Sequence, residues 1–372
     1  MPAKLDIRSA ESTAIAEIYI SATPTAKAPL EQQATEVFSG ICDMLRSKRA
    51  FILHERILAT QAAVETIRHL RSKIYGDLDD GVAPSFLIGR EGATGPIAGV
   101  QLHAVICENA PDVLNWQGAK SGRIIQVPGR KYLALLGISA PQLTFATEQA
   151  QAILEKAESI LKKLDADMLS VPRTWMWLGD ILSWYDDFNH IRNTFFAERG
   201  VIKKDGTHSM PASTGIGLAP AEGGKCSMDL IAVLEPKNSI QYLQSTEKQG
   251  TAFEYGSAFS RACRAVTPAG QTVFISGTAS IDADGATTNI DDPMGQINTT
   301  IDNVHTALKD MNCRNKDVVQ VVAYCKTTDV EKIFNDIRHK FDWPWVTVIC
   351  DICRPDLLFE IEATAMPGKP AK

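Results

Sequence analysis

Between residues 149 and 164 apolar side chains return at three- and four-residue steps: Ile153, Leu154, Ala157, Ile160, Leu161 and Leu164. This spacing gathers them on one face of a 3.6-residue helix and predicts an amphipathic helix opening near Gln149. Ile301, Val304, His305 and Leu308 repeat the pattern and predict a second helix opening near Gln296. Each helix follows a strand-like run that ends in a Gly turn, Tyr132-Leu-Ala-Leu-Leu-Gly137 and Val273-Phe-Ile-Ser-Gly277. Each precedes another apolar run, Leu169-Ser-Val-Pro-Arg-Thr-Trp-Met-Trp177 and Val318-Val-Gln-Val-Val-Ala-Tyr324. Downstream, Phe188-Asn-His-Ile-Arg-Asn-Thr-Phe195 recurs as Phe334-Asn-Asp-Ile-Arg-His-Lys-Phe341, and the two sets close with strands Asp229–Leu234 and Asp356–Glu362. The chain therefore contains an internal repeat.

The N-terminal third repeats the theme less faithfully. Strand-like Ala16–Ile20 leads to a periodic helix from about Leu30 to Ser47, strand Phe51–Ile57, a helix from Gln61, and closing strands around 84–88 and 99–106. Gly- and Pro-containing stretches near 108–130 and 235–251 read as boundaries. These divisions give three units, residues 1–110, 130–235 and 250–368, the first degenerate. Each is an α+β layer whose helices cover one sheet face. The uncovered faces predict three units packed on one another around a pseudo-threefold axis.

At 372 residues and 45% apolar content, the chain has enough material for several cores. A net charge of -6 with scattered basic residues gives no phosphate-tracking stripe, so no nucleic-acid partner is expected. No apolar run approaches a membrane span, and eight cysteines without framework spacing fit a reducing, cytoplasmic location. Cys350-x-x-Cys353 lies within the strand-like run 346–353, where the pair reads as two faces of one strand rather than a redox or zinc motif. The seven histidines show no ligand spacing and no phosphate loop is present, so neither metal nor nucleotide cofactor is expected.

The last 115 or so residues resemble the RidA (YjgF, endoribonuclease L-PSP) family through Phe259-Ser-Arg-Ala262, Ile275-Ser-Gly277, Gln296, Asp302-Asn303, Asp317-Val-Val319 and Arg354-Pro-Asp-Leu-Leu-Phe-Glu-Ile-Glu-Ala363. Members of that family are homotrimers with a ligand cleft at each subunit boundary. The resemblance implies tandem RidA-like (chorismate mutase-like) units arranged as a covalent pseudotrimer, monomeric or weakly self-associating. The whole chain is similar to the tandem chorismatase group, through Arg173-Thr-Trp175, Met210-Pro-Ala-Ser-Thr-Gly-Ile-Gly217, Ile275-Ser-Gly-Thr-Ala-Ser-Ile281 and Asp351-Ile-Cys-Arg354 followed by Glu360. That group converts chorismate, a small carboxylate, into a dihydroxy-cyclohexadiene carboxylate or a hydroxybenzoate.

Glu360 and Glu362 lie two apart on one strand and share a face. The resemblance selects Glu360 as the general acid, and counting from the shared Asp-Leu puts Val233 at the matching place in the middle unit. Protonating the methylene carbon of an enolpyruvyl ether calls for a carboxyl kept neutral by burial. Tyr255, Phe259, Leu358, Trp175 and Trp177 are candidates for its apolar wall. Substrate carboxylates call for cations, for which Arg173 and Arg261 stand in motif positions, with Arg354 a weaker candidate at a turn. Ser213, Thr214 and Gly215 can present hydroxyls and backbone amides. Cys353, seven residues before the acid, stands where hydroxybenzoate-forming members resemble this chain. Glu360 is expected to face Arg173 or the 210–217 segment across the boundary of the second and third units. Two other readings of the family are an enamine/imine deaminase, whose carboxylate-holding Arg is replaced by Trp345, and a non-enzymatic carboxylate-binding protein.

Overall fold

The computed structural model describes residues 3–368. The first stretch runs β1 (Lys4–Glu11), β2 (Ala16–Thr23), α1 (Leu30–Lys48), β3 (Phe51–Ala59), α2 (Val64–Tyr75), β4 (Ser85–Ile88) and β5 (Ile97–Ile106). The second runs β6 (Asp112–Trp116), β7 (Ala119–Val127), β8 (Arg130–Ser139), α3 (Ala146–Lys163), β9 (Arg173–Leu178), α4 (Tyr185–Glu198), β10 (Ala212–Ile216), β11 (Ala219–Pro220) and β12 (Cys226–Glu235). The third runs β13 (Gln241–Leu243), β14 (Ala262–Val266), β15 (Gln271–Ala279), α5 (Pro293–Asp310), β16 (Val318–Cys325), α6 (Thr328–Ile337), β17 (Trp345–Ile349) and β18 (Phe359–Ala365).

Three six-stranded sheets result, in the orders β1-β2-β5-β3-β4-β11, β10-β9-β12-β8-β7-β6 and β13-β14-β15-β18-β16-β17. Each contains one parallel pair, β3/β4, β9/β10 or β16/β17, bridged by a crossover helix. Helices form where the periodicity placed them. In α5 the start is fixed by Asp292, whose carboxylate accepts from the Gly295 amide, and by Pro293 in the first turn.

Strand alternation divides each sheet into two faces. The outer faces lie under the helix pairs and make three separate apolar cores, one built on Phe38, Ile41 and Ile67, one on Ile153, Leu161 and Phe188, and one on Ile301, Val304 and Phe334. The inner faces share a single core to which all three sheets contribute, with Leu53 and Leu58 from the first, Trp175 and Trp177 from the second, and Phe274 and Tyr324 from the third. Bare sheet faces are thus buried on one another. The end of each parallel edge strand joins the loop before the closing strand of the next sheet: Ile88 with Ala219, Gly217 with Asp351, and Ile349 with Arg90.

Four local readings change. The stretch 108–130, read as a boundary, is the β6–β7 hairpin of the second sheet; Gln117 and Gly118 turn it with φ of 48° and 84°, a two-residue turn with left-handed backbone at both positions. Residues 235–251 likewise contribute β13 to the third sheet. In the run 169–177 only Arg173 onward is strand, because residues 168–170 form a 3-10 turn ahead of Pro172. The run 346–353 ends its strand at Ile349, so Cys350 and Cys353 lie in the following loop. No helix among the described residues is long and apolar enough to cross a membrane.

Candidate active site

The inner face of β18 carries Glu360, Glu362 and Thr364, while Phe359, Ile361 and Ala363 pack outward under α5 and α6. Both carboxyls are buried, yet their surroundings are opposite. Glu362 sits where all three sheets meet. It accepts from Arg56 Nη1 at 2.7 Å, from Arg173 Nη2 at 2.7 Å and from Trp175 Nε1 at 3.0 Å. Burial alone would raise its pKa, but the two guanidiniums outweigh burial and hold it at about 2. Glu362 is therefore a fixed anion.

Glu360 lines a cavity of about 40 Å³ between the second and third sheets. Among the described residues its carboxyl has no hydrogen-bond partner. Burial, reinforced by the Glu362 anion and only partly offset by Arg173, pushes its pKa up to about 8. At neutral pH it is a carboxylic acid. Its Oε1 lies so close over Gly277 that a Cβ there would come within 2.2 Å, so only glycine leaves room for the carboxyl in this position.

The walls combine both sheets. Ser213 and Gly215 on β10 and Tyr185 and Arg192 on α4 come from the second; Tyr255, Phe259, Arg261, Cys353 and Arg354 come from the third. Three guanidiniums thus face one neutral carboxyl. Arg261 is tethered by Nε and Nη2, which donate to the Gly250 carbonyl at 3.0 and 2.7 Å. Arg354 donates Nη1 to the Gly285 carbonyl at 2.8 Å, and Arg192 donates Nη2 to Asn189 Oδ1 at 2.7 Å while its buried Nε has no partner. Tyr255 and Phe259 pack against them, with Arg354 5.2 Å from the Tyr255 ring centroid and Arg261 5.6 Å from that of Phe259. The half-buried Cys353 thiol, desolvated and beside Glu360, is pushed up to about 12 and stays protonated, so it offers a small polarizable wall rather than a thiolate nucleophile.

Of the residues expected here, the structure brings together Glu360, Cys353, Arg261, Tyr255, Phe259, Ser213, Gly215 and Arg354. Arg173, Thr214 and Trp175 are elsewhere. Arg173 is the counter-ion of Glu362 and also donates to Thr214 Oγ1 at 2.7 Å. Alternation explains the error: Arg173, Trp175 and Trp177 share the inner face of β9, and Thr214 the inner face of β10, whereas Ser213 and Gly215 turn toward α4. Trp177 lies in the shared core and Leu358 against the outer core of the third sheet, so neither lines the cavity. Tyr185 and Arg192 were missed. Arg192 had a signal, since Phe-Asn-x-Ile-Arg occurs in both repeats and ends in Arg192 and Arg338.

The register corrects the count that led to Val233. β15 and β18 slip between Ile275↔Ala363 and Thr278↔Ile361; β8 and β12 slip between Leu135↔Leu230 and Ile138↔Met228. Aligning the slips sets Glu362 on Asp229 and Glu360 on Ser227. Aligning the slip of β3/β5 with that of β16/β18 sets Glu362 on Gln101 and Glu360 on Gly99. The acid occurs in the third sheet alone.

Residues 251–367 match the family model Endoribonuclease L-PSP. The match spans the C-terminal unit. Over the full length the chain is similar to the crystal structure of a chorismatase, with a TM-score of 0.64 at 18% identity, covering 98% of this chain and 100% of that one. It thereby has that protein's fold, with L-PSP-type units in tandem. Single-unit structures also match: a putative endoribonuclease from Thermotoga maritima (TM-score 0.29, 21% identity, 35% of this chain and 99% of that one) and Rv2704, of the YjgF/YER057c/UK114 family, from Mycobacterium tuberculosis (0.27, 23%, 34% and 98%). No curated protein matches the chain.

Proposed function

We propose that the chain is a chorismatase-like enzyme that protonates the enolpyruvyl ether of chorismate or a related small carboxylate, with Glu360 as the general acid. The carrying observation is a buried carboxyl, neutral at working pH, that shares its cavity with Arg192, Arg261 and Arg354 and no other carboxylate. Three cations beside one neutral acid suit a dianionic substrate, whose carboxylates replace lost hydration with charge-assisted bonds. Carbon accepts protons slowly, so the acid must be held protonated against the methylene carbon. Proton transfer from Glu360 leaves an oxocarbenium-like ether carbon. Water adds there and gives its proton up to the Glu360 carboxylate, and the hemiketal collapses to pyruvate and the ring alcohol. In the alternative outcome the neighbouring ring hydroxyl takes the place of water and returns its proton to the Glu360 carboxylate; the cyclic ketal then breaks one ring C–O bond as a ring C–H proton is lost and passes to the other ring oxygen, so that a hydroxybenzoate leaves with pyruvate. Arg173 and Arg56 act one step back, by fixing the Glu362 anion that disfavours ionisation of Glu360.

A cavity of about 40 Å³ has room for about three waters. A six-membered ring therefore enters only if a wall residue swings out, and Tyr185, Tyr255, Cys353 and Arg354 are the half-buried side chains of the wall. The deciding experiment is incubation with chorismate, with pyruvate measured enzymatically and ring products separated by chromatography. Pyruvate appearing with a dihydrodiol or a hydroxybenzoate supports the reading. Absence of pyruvate, with 2-aminoacrylate-type imines hydrolysed instead, would replace it with the deaminase.

A further inference from the structure

At about 40 Å³ the Glu360 cavity is far below the roughly 300 Å³ at which sites for small organic molecules begin, so it is closed as it stands. A closed cavity between two units needs a way in, and its walls differ in how firmly they are held. Ser213, Gly277 and Glu360 lie on paired strands. Tyr185 opens α4, where its ring stacks on that of Phe188 at 6.2 Å and stands against Gly215, whose Cβ would lie 3.4 Å from it. Phe259 and Arg261 are buried. Tyr255 and Arg354 are on neither strand nor α-helix, and their chain neighbours Glu254, Gly256 and Pro355 are exposed. This is the side of the cavity nearest solvent.

Tyr255 ends a 3-10 turn, Ala252–Tyr255, that is itself anchored. Ala252 is buried, the Phe253 ring lies 4.7 Å from that of His208, and the Gly256 carbonyl accepts from Asn193 Nδ2 at 2.8 Å. The backbone therefore stays in place while the phenol can rotate about χ1. A clamp holds the ring. Arg261 and Arg354 stand 5.4 and 5.2 Å from its centroid, and Gly285 lies so close against it that a Cβ there would come within 2.3 Å of Tyr255 Cδ1. Gly285, with φ of 81°, belongs to a turn fixed by Asp282, whose Oδ1 accepts from the Asp284 and Ala286 amides at 3.0 and 2.9 Å. The Gly285 carbonyl in turn accepts from Arg354 Nη1 at 2.8 Å. Of the two cations, Arg261 is buried and tied twice to the Gly250 carbonyl, whereas Arg354 makes this one hydrogen bond among the described residues.

We propose that the Tyr255 ring is the door of the Glu360 cavity and that the Arg354 bond to the Gly285 carbonyl is its latch. The door serves the cavity read above as the active site, and rests on that reading for what passes through it. A neutral carbonyl is a weaker acceptor than a carboxylate, so the latch is one that a carboxylate substrate can displace on entering. Rotation of one side chain, rather than separation of two units, then admits the ring.

The test is modification of the full chain by N-ethylmaleimide at pH 8 with no substrate present, followed by digestion and mass spectrometry of the peptide that holds Cys350 and Cys353. The Cys353 thiol lines the cavity and is desolvated, and a maleimide ring is too large for about 40 Å³, so reaction there reports the open fraction. Buried Cys350 should stay unmodified, which verifies that the chain is folded. Arg354→Ala should speed modification of Cys353 by at least about tenfold as the open fraction rises. Loss of the guanidinium charge by itself acts the other way, because Arg354 lowers the thiol pKa and its removal leaves less thiolate. Gly285→Ala keeps Arg354 but drives a methyl into the ring, and should also speed the reaction by at least about tenfold. Rates within about twofold of wild type in both variants, or a wild-type Cys353 that reacts as fast as in the urea-unfolded chain, would overturn the door. Since no substrate is added, a chain that releases no pyruvate from chorismate can still pass this test, and the two failures are told apart.

Discussion

Replacing Glu360 by Gln keeps the shape of the side chain and removes the proton, and its two consequences run in opposite directions. Without the acid, turnover should fall by about a hundred- to ten-thousandfold, with KM nearly unchanged. Stability should rise. A carboxyl whose pKa is 4.5 when unfolded and about 8 when folded binds its proton more tightly in the folded state. That contribution is complete below pH 4.5 and is lost as pH rises through 8. At pH 7 the unfolded chain has already gained the freedom to ionise, and at about 1.4 kcal/mol per tenfold change in proton affinity this favours unfolding of the wild type by roughly 3 kcal/mol. A neutral Gln escapes this loss. Urea denaturation at pH 5, 7 and 9 should therefore show Glu360→Gln gaining stability over wild type as pH rises, while the alkaline limb of the wild-type kcat profile, with an apparent pKa near 8, disappears from the residual activity of the variant. A variant as active as wild type would refute the role of the acid. A stability difference that stays flat from pH 5 to 9 would refute the electrostatic account of its protonation.

Arg173→Met leaves the Glu362 anion with Arg56 as its one ionic partner; it should destabilise the fold by about 3–5 kcal/mol in denaturant titrations, with any folded fraction showing a lowered Glu362 contribution rather than a specific rise in KM. Gly277→Ala drives a methyl into the place of Glu360 Oε1; because that atom ends a flexible side chain, the melting temperature should change little while kcat falls by at least about tenfold, and a normal kcat would show that the carboxyl does not act from this position.

The sequence was legible where one period governs a segment. Helices α1, α3 and α5 sit on the apolar stripes that predicted them, and the closing strands fall where the repeat placed them. It was less legible where a turn does the organising: Gln117-Gly118 folds back β6 on β7, yet it lacks the Asn-Gly signature that marks such hairpins. At the site, the shared face of Glu360 and Glu362 followed from alternation, but alternation could not say that Glu362 would accept hydrogen bonds from two guanidiniums and Glu360 from none. Applying the same parity to β9 would have placed Arg173 with Trp175 and Trp177, and two indoles on one face require an interior. Arg192 comes to the cavity through α4 of the neighbouring unit, a contact between sheets that no single repeat contains.

That contact between sheets also accounts for why one acid stays protonated. Glu362, Asp229 and Gln101 occupy one equivalent position in the three sheets, all facing the shared interior. Three identical carboxylates there would repel one another in a poorly solvated core. Fusion of the units into one chain lets each copy differ. Gln101 is neutral and donates Nε2 to the Val321 carbonyl at 3.0 Å; Asp229 accepts from His54 at 3.2 Å, Ser85 at 2.6 Å and the Gly137 amide at 2.8 Å; Glu362 alone takes two guanidiniums, Arg56 from the first sheet and Arg173 from the second. The anion so fixed lies two residues from Glu360 on the same face of β18. Its charge raises the proton affinity of Glu360, while the guanidiniums that balance it are turned inward. Arg56 and Arg173 stand on β3 and β9 in different registers, Arg56 opposite Gln101 and Arg173 opposite Ile231, so the two cations of this one carboxylate occupy non-equivalent positions of their units; Trp175 and not an arginine stands opposite Asp229, where Arg56 stands opposite Gln101.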